Sequence, residues 1–370
     1  MTNRVPAEVF PPGEFLRDAL EDRGWNQTEF SEIIGRPPRV VNEIIAAKRS
    51  VTPETAQEFA AALGTSAQYW LNLESAYQLS KVLPADERIA RVAALRERFP
   101  VRQMIQRGWI AQSNDNTEVA ASVLRFFELK TLDDPIVFSH AARARRVERS
   151  ELQWAWIFRV KQLAAAFKVP RFSAERLLAA MTDLERLMTE PEEIRHVPKI
   201  LAECGVRLIV VEPIPGSEIQ GVCFWLEGQP VVGLTLKGDY IDRFWFNLRH
   251  ELEHVLNGDG QDDPITDEFN ESSGGERDPC EVAADAAAAE FCVPQAQLNN
   301  FVARHDPAYS HLNFLGFSRL MRRHPGIVAG QLQRKINRPE LFKKYQVRVR
   351  PIIAAAALTD GYGQALPTDI

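Results

Sequence analysis

The chain has 370 residues, a formal net charge of −6, 45% hydrophobic residues and 25% charged residues. This length predicts two or three domains, and the composition is that of an ordinary globular protein with ample core material. The negative charge excludes a protein coated in basic residues but leaves room for one local nucleic-acid-binding face.

Signals for membranes and disulfides are missing from the sequence. No apolar run is as long as a membrane span, and the start MTNRVPAEVF lacks the apolar region of a signal peptide. The cysteines form no C-x-x-C pair, and we interpret them as reduced thiols, mostly with buried structural roles. They are Cys204, Cys223, Cys280 and Cys292. We therefore expect a cytoplasmic protein that binds no membrane.

The first 80 residues predict five short helices. Hydrophobic residues at helical spacing define the first, over Gly13–Arg23. The second, Asn26–Gly35, starts with capping-type residues and ends at a glycine, and the third begins at Pro38. The fourth, TPETAQEFAAALG, has Thr52 as its candidate N-cap, and the aromatic-rich TSAQYWLNLESAYQLS is the fifth.

The second and third helices have the length and spacing of a helix–turn–helix. In such folds the second helix of the pair enters the major groove with its N-terminal side chains on base edges. Arg39 and Asn42 would then face the bases. Further side chains could hold phosphates: Gln27, Arg36, Lys48 and Arg49. The sequence therefore predicts binding to a double-stranded DNA operator, and a homodimer reading two half-sites is the natural expectation.

Charge is unevenly distributed in this region. Residues 1–80 hold seven Lys/Arg and eleven Asp/Glu, a net charge of −4. Four of the seven basic residues cluster around the proposed recognition helix, whereas the acidic residues lie mostly between Glu14 and Glu32. This polarity suits one DNA-facing surface. The alternative is a helical interaction domain that binds no DNA.

Residues 11–80 resemble the HigA-type antitoxins of the Xre helix–turn–helix family. The matching stretches are PGEFLRDALEDRGWNQTEFSEIIG, VNEIIAAKRSVTPETAQEFAAALGTS and YWLNLESAYQLS. The resemblance implies operator binding, and it makes a toxin one possible protein partner.

The middle of the chain, from about residue 85 to 200, reads as mostly helical, and its basic stretch Ala141–Ser150 is interpreted as a solvated helix face. Short β-branched or aromatic runs bounded by Gly and Pro then predict three strands of a small sheet. They are Val206–Pro213, Gly221–Leu226 and Pro230–Leu236. A helix from about Asp242 to Asn257, a polar loop over Gly258–Pro279 and an Ala-rich helix from about Glu281 follow.

The helix near residue 250 contains RHELEHVLNG, with two histidines four residues apart. Residues at this spacing lie on one helix face, so His250 and His254 can direct two imidazoles at one ion. Glu251 would lie within reach of a metal-bound water, whose pKa zinc lowers to about 7. The alternative is an ordinary amphipathic helix, because the same run carries a stripe of leucine and valine.

A catalytic zinc site needs three protein ligands and an open position, and the run CEVAADAAAAEFCVP supplies a third ligand. Glu281 would be this ligand, and Asp285, four residues later, would accept a hydrogen bond from the outer nitrogen of a ligand histidine. We therefore predict one Zn²⁺ per chain, with Glu251 as the catalytic base, although other divalent ions bind similar ligands. The alternative is that Glu281 merely stabilises a helix N-terminus.

These two runs resemble the motifs of the ImmA/IrrE family of metallo-endopeptidases, H-E-L-x-H and a later helix with E-x-x-A-[ND]-x-F-A and a terminal Pro. The matching residues are His250, Glu251, His254, Glu281, Ala284, Asp285, Ala288 and Pro294. Glu253 stands where Gly is usual, Ala283 where Glu is frequent and Ala287 where Phe is frequent. The ligands survive these departures, which bear instead on peptidase rate and substrate choice. No transition-state stabiliser is identified, and His305, His311 and His324 are candidates only.

Together these patterns predict a mainly α fold with a small β-sheet (α+β). We expect a helix–turn–helix DNA-binding domain over residues 1–82 and a helical linker domain over 83–198. A zincin-like metallopeptidase domain over 199–358 and a flexible tail over 359–370 would follow.

The predicted function is a DNA-binding transcriptional regulator with a zinc-dependent peptidase-like domain that hydrolyses a peptide bond in a regulatory protein. The alternative is a HigA-type antitoxin or repressor whose metal domain is a sensor or inactive. A third interpretation is a stand-alone peptidase whose first domain only docks the substrate.

Overall fold

The computed structural model describes residues 9–83, 86–138, 149–268 and 278–362. The chain forms two compact units, Met1–Ile89 and Ala90–Ile370. Among the described residues, no helix has both the length and the apolar character needed to cross a bilayer. The architecture is mainly helical with one small mixed sheet, as the sequence predicted.

The first unit contains the five predicted helices. They are α1 (Pro12–Glu21), α2 (Gln27–Ile33), α3 (Pro38–Ile45), α4 (Pro53–Leu63) and α5 (Ala67–Lys81). Asn26 caps α2 in a reciprocal capping box with Glu29. Thr52 caps α4, which ends at Gly64 in the left-handed conformation (φ 69°). These ends form where predicted because capping depends on residues only a few positions apart.

The core of the first unit is built around aromatic side chains. The Phe59 ring contacts those of Phe30 and Trp70, with centroids 5.4 and 5.3 Å away. Helix α3 buries Val41, Ile44 and Ile45 in this core. Because one face of α3 is buried, its opposite face is presented to solvent.

Several helices precede the sheet. They are α6 (Glu87–Arg98), α7 (Val101–Gln106), α8 (Asn116–Phe126), α9 (Glu151–Ala166), α10 (Ala174–Leu187), a 3₁₀ helix (Pro191–His196) and α11 (Val197–Cys204). Ser150 caps α9, whereas residues 141–148 of the predicted basic stretch lie outside the described residues. Trp156 of α9 donates a hydrogen bond from Nε1 to the carbonyl of Val211 (3.0 Å). Helix α9 is therefore joined directly to the sheet.

The sheet has five strands in the order β4-β2-β3-β1-β5. Their bounds are β1 (Arg207–Val211), β2 (Ile219–Leu226), β3 (Gln229–Leu234), β4 (Ile265–Glu268) and β5 (Leu358–Asp360). Strand β1 runs parallel to β3 and β5, and β2 runs antiparallel to β3 and β4. The three predicted strands are present. The sequence missed β4 and β5, which are short and occupy the two edges of the sheet.

Both faces of the sheet are covered, which explains why its central strands are almost wholly apolar. Alternate residues of each strand point to opposite faces. Ile209, Val211 and Val222 belong to the core cluster that includes Trp156 of α9. Leu208 and the other strand residues that point to the opposite face belong to the core cluster formed with the helix that follows β3. The sheet therefore packs against one side of that helix and fixes its position.

The remaining helices follow the sheet. They are α12 (Ile241–Asn257), α13 (Pro279–Cys292), α14 (Gln295–His305), α15 (His311–Met321), α16 (Pro325–Ile336), a second 3₁₀ helix (Lys343–Tyr345) and α17 (Arg350–Ala354). Cys204, Cys223 and Cys292 are buried free thiols, as expected, whereas Cys280 at the start of α13 is exposed.

The end of the described chain joins the sheet. Thr359 and Asp360 of β5 lie within the predicted flexible tail, residues 359–370, and Asp360 forms a buried ion pair with Arg159 of α9. Trp109 also donates a hydrogen bond to Asp360 (2.9 Å). Residues 363–370 of the predicted tail lie outside the described residues. The three predicted boundaries between these segments stay predictions.

Candidate metal centre and nucleic-acid interface

The predicted metal-binding residues lie on α12 and α13, which pack against each other. On α13, Ala284 and Ala288 are fully buried, and their small side chains let the two helices approach closely. His250 and His254 are almost fully buried on α12. Two of the three candidate ligands thus lie on a helix that is fixed against the sheet.

His250, His254 and Glu281 converge in space, with one ligand atom from each lying within 4.8 Å of the others. The Nε2 atoms of the two histidines are 3.2 Å apart. Glu281 places Oε2 at 3.1 Å from His250 Nε2 and Oε1 at 3.6 Å from His254 Nε2. Two nitrogens bound to one tetrahedral zinc would be about 3.3 Å apart, so these three side chains fit a zinc ion.

The electrostatic environment also favours a cation. Burial alone would lower the pKa of His250, but hydrogen bonds to Asp285 and Glu281, together with the charges of Glu251 and Asp267, raise this pKa to about 10. A site that holds a proton this strongly is surrounded by excess negative charge. The same excess would stabilise a divalent cation held by the imidazole and carboxylate ligands.

Each candidate ligand histidine has a carboxylate within hydrogen-bonding distance of its outer ring nitrogen, Nδ1. Asp285 Oδ1 lies 3.1 Å from His250 Nδ1, the contact that the sequence predicted for this aspartate. Asp259 Oδ2 lies 2.9 Å from His254 Nδ1. Asp259 is not among the residues predicted from the sequence, although the two glycines flanking it directly after α12 signal a tight turn there.

Glu251 is 1% exposed, and its Oε2 atom has no hydrogen-bond partner among the described residues. Burial raises the pKa of Glu251 well above its ordinary value, with further contributions from Asp267 and Glu281. Its Oε1 atom lies where a side chain on Gly221 would be, since a Cβ there would be 2.0 Å away. Gly221 of β2 therefore leaves the space that Glu251 occupies.

Asp267 is a further carboxylate near the site. It lies on the edge strand β4 and pairs in register with Gly221 of β2. Burial raises the pKa of Asp267 to about 6, with Glu281 and Asp285 contributing in the same direction. No pattern in the sequence distinguishes Asp267 from the other acidic residues of its segment.

The unusual Glu253 of the first motif makes an ion pair within its own helix. Its carboxylate pairs with Arg249 one turn earlier on α12, at 2.6 Å. The candidate transition-state stabilisers have other contacts: His305 contacts Asn313 (3.2 Å), and His324 caps α16. His311 lies 3.4 Å from the Tyr345 hydroxyl. None of these contacts places a histidine beside the three ligands.

The first unit presents the residues expected to bind DNA on and around α3. Arg39, with 86% of its side chain exposed, and Asn42 lie on the solvent-facing side of this helix. Lys48 and Arg49 are exposed just beyond its end, and Gln27 is half-buried at the start of α2. The structure therefore leaves the predicted base-reading pair accessible.

Acidic side chains pair with the basic ones on this surface. Arg36 makes a bidentate ion pair with Glu58, with three N–O distances between 2.7 and 3.0 Å. Glu43 pairs with both Arg39 (2.7 Å) and Arg49 (3.0 Å). The sequence predicted that acidic residues lie mostly away from this face, and these pairs show that Glu43 and Glu58 lie on it.

Two known family models match separate parts of the chain. Residues 16–70 match the family model described as Helix-turn-helix. Residues 204–324 match the model described as IrrE N-terminal-like domain. The first match covers α2 and α3, and the second covers the sheet strands β1 to β4 together with α12 and α13.

Individual relatives cover about a fifth of the chain. The HTH-type transcriptional regulator YddM of Escherichia coli (strain K12) is 29% identical over 70 residues, which are 19% of this chain and 74% of that protein. Virulence-associated protein A of Dichelobacter nodosus is 39% identical over 75 residues, 20% of this chain and 74% of that protein. The solved structure of Pseudomonas aeruginosa antitoxin HigA with higBA promoter is 29% identical and covers 20% of this chain and 82% of that one, with a TM-score of 0.20.

Proposed function

Because the chain belongs to the Xre-type helix-turn-helix family and also carries an IrrE N-terminal-like domain, we propose that it is a transcriptional regulator with a zinc-dependent peptidase. The first unit would bind a double-stranded DNA operator. The second would hydrolyse a peptide bond in a regulatory protein. The observation that carries the peptidase half is the convergence of His250, His254 and Glu281 beside the buried Glu251.

The three convergent side chains would hold one zinc ion. Zinc bound there would supply a Lewis acid that polarises a peptide carbonyl and makes water a better nucleophile. Glu251 would accept the proton of the attacking water at Oε2 and deliver it to the departing amide nitrogen. Burial raises the pKa of Glu251, which is the direction that a general acid–base group at neutral pH needs.

The DNA-binding half rests on α3. We propose that Arg39 and Asn42 read base edges in the major groove, while Gln27 and Lys48 contact phosphates. Arg36 and Arg49 would contact phosphates as well, and these contacts would compete with the ion pairs that the two arginines form with Glu58 and Glu43. A homodimer would read two half-sites of a two-fold operator.

The first experiment measures the metal content of the full chain purified without added metal, beside His254→Ala. About one zinc per chain, lost in the variant, is expected if the three residues form the site. Absence of metal in both proteins contradicts the peptidase proposal.

The second experiment compares new protein N-termini in cells that express the wild type, Glu251→Gln or Glu253→Gln. Glu253→Gln is the matched control, since it changes a neighbouring carboxylate that pairs with Arg249. At least one N-terminus should depend on Glu251 and not on Glu253. If zinc is bound but no N-terminus depends on Glu251, the domain is a sensor, and the chain is an antitoxin-like or repressor-like DNA binder.

A further inference from the structure

The turn after α12 ties one residue to His254 in two ways. Helix α12 is capped at its C-terminal end by Gly258, which adopts the left-handed conformation (φ 75°). The backbone N–H of Asp259 then donates to the carbonyl of His254 (2.9 Å), closing a Schellman-type helix end. The carboxylate of the same residue lies 2.9 Å from His254 Nδ1. Asp259 thus contacts both the backbone and the ring of this histidine.

The sheet holds this turn in place. Trp225 of β2 donates from its indole Nε1 to the carbonyl of Asp259 (2.9 Å) and from its backbone N–H to the carbonyl of Gly260 (3.2 Å). A Cβ on Gly260 would lie 2.5 Å from the Cys223 carbonyl, so only glycine fits this close approach. The Phe172 ring packs edge-on against Trp225, with centroids 5.3 Å apart. The position of the Asp259 carboxylate is therefore fixed by contacts outside the ligand set.

We propose that Asp259 is a positioning residue for metal binding. Its carboxylate holds the proton of His254 on Nδ1, so that the Nε2 lone pair faces His250 and Glu281. Asp285 does the same for His250 from the opposite helix. This inference rests on the proposed metal site.

The two Nε2 atoms are only 3.2 Å apart, so a proton on either of them would lie between the ligand atoms. An imidazole has one protonated and one unprotonated nitrogen when neutral, and only the unprotonated nitrogen can bind metal. Without Asp259, His254 is free to carry its proton on Nε2, where it blocks the site. Loss of a carboxylate behind a ligand histidine typically weakens metal affinity about 10- to 100-fold.

The test measures zinc affinity of the full chain by competition with a chromophoric chelator, in the wild type, Asp259→Asn and Asp259→Glu. Asp262→Asn is the matched control, since it removes an exposed carboxylate three residues away. We expect Asp259→Asn to weaken zinc binding about 10- to 100-fold. Asp259→Glu should bind more tightly than Asp259→Asn, and the control should match the wild type.

A second readout separates positioning from a general effect on folding. Nitrogen-15 NMR of the metal-free protein, with labelled histidine, reports which ring nitrogen of His254 carries the proton. We expect Nδ1 in the wild type and a shift of the proton toward Nε2 in Asp259→Asn.

The outcomes distinguish this inference from the proposed function. Wild-type zinc affinity in Asp259→Asn, with the proton still on Nδ1, overturns the positioning role and leaves the metal site intact. A wild type that binds no zinc contradicts the proposed function. In that case the NMR experiment still decides whether Asp259 sets the proton position of His254.

Discussion

Gly221→Ala should inactivate the peptidase while the protein stays folded. The new Cβ would lie 2.0 Å from Glu251 Oε1, where ordinary contact begins at 3.4 Å, so the carboxylate must move by at least about 1.4 Å. The nearest obstructing atoms are the end of one side chain, so the backbone of β2 can stay in place. A misplacement of about 1 Å at a reacting group lowers the rate about 100-fold, which corresponds to an increase of about 2.7 kcal/mol in the activation free energy.

The assay compares cleavage rate, zinc content and thermal unfolding in the wild type, Gly221→Ala and Gly316→Ala. The substrate is the protein whose new N-terminus depends on Glu251. Gly316→Ala in α15 is the matched control, because a Cβ there meets no atom within 4 Å. We expect at least about 100-fold slower cleavage in Gly221→Ala only, with wild-type zinc content in both variants.

Two results would refute the reasoning. Wild-type cleavage by Gly221→Ala would show that the position of the Glu251 carboxylate does not matter for the reaction. Loss of zinc or of the folded state would show that the substitution disturbs more than this carboxylate.

Four further outcomes are expected. Chelation of the metal should lower the unfolding temperature in calorimetry, since a ligand at 100 times its Kd stabilises the folded chain by about 2.7 kcal/mol; no change contradicts a bound ion. Arg39→Ala combined with Asn42→Ala should abolish selection of any sequence from a random duplex pool, each base contact contributing about 1–3 kcal/mol. Lys48→Ala should instead weaken all sequences alike and reduce the slope of log affinity against log salt by about 1. Burial raises the pKa of Asp242, so its ionised form destabilises the fold at neutral pH. Asp242→Asn should therefore raise the unfolding temperature at pH 7, and this gain should vanish below the ordinary carboxyl pKa of 3.8.

Much of the first unit could be predicted because its signals are local. The capping box at Asn26 and the left-handed Gly64 involve residues within one turn of the helix they delimit. The ion pair of Arg36 with Glu58 could not be predicted, since the two residues are 22 positions apart and meet only after the helices pack. The same holds for the edge strands β4 and β5, whose short sequences become strands only beside β2 and β1.

The candidate metal site shows the same division. Helical spacing indicated His250 and His254, because residues four apart share a helix face, and the need for a third ligand and its supporting carboxylate indicated Glu281 and Asp285. The space for the Glu251 carboxylate depends on Gly221, which lies on a different element.

The sequence by itself determined the helix ends, the central strands and the residue types suited to binding a metal and DNA. Only the tertiary structure decided which distant carboxylates reach those residues: Asp267 at the metal site and Glu58 beside α3. Helix periodicity and capping act over a few residues and can be read along the chain. The electric field at a buried site depends on charges that packing brings together. It therefore exists only once the chain has folded.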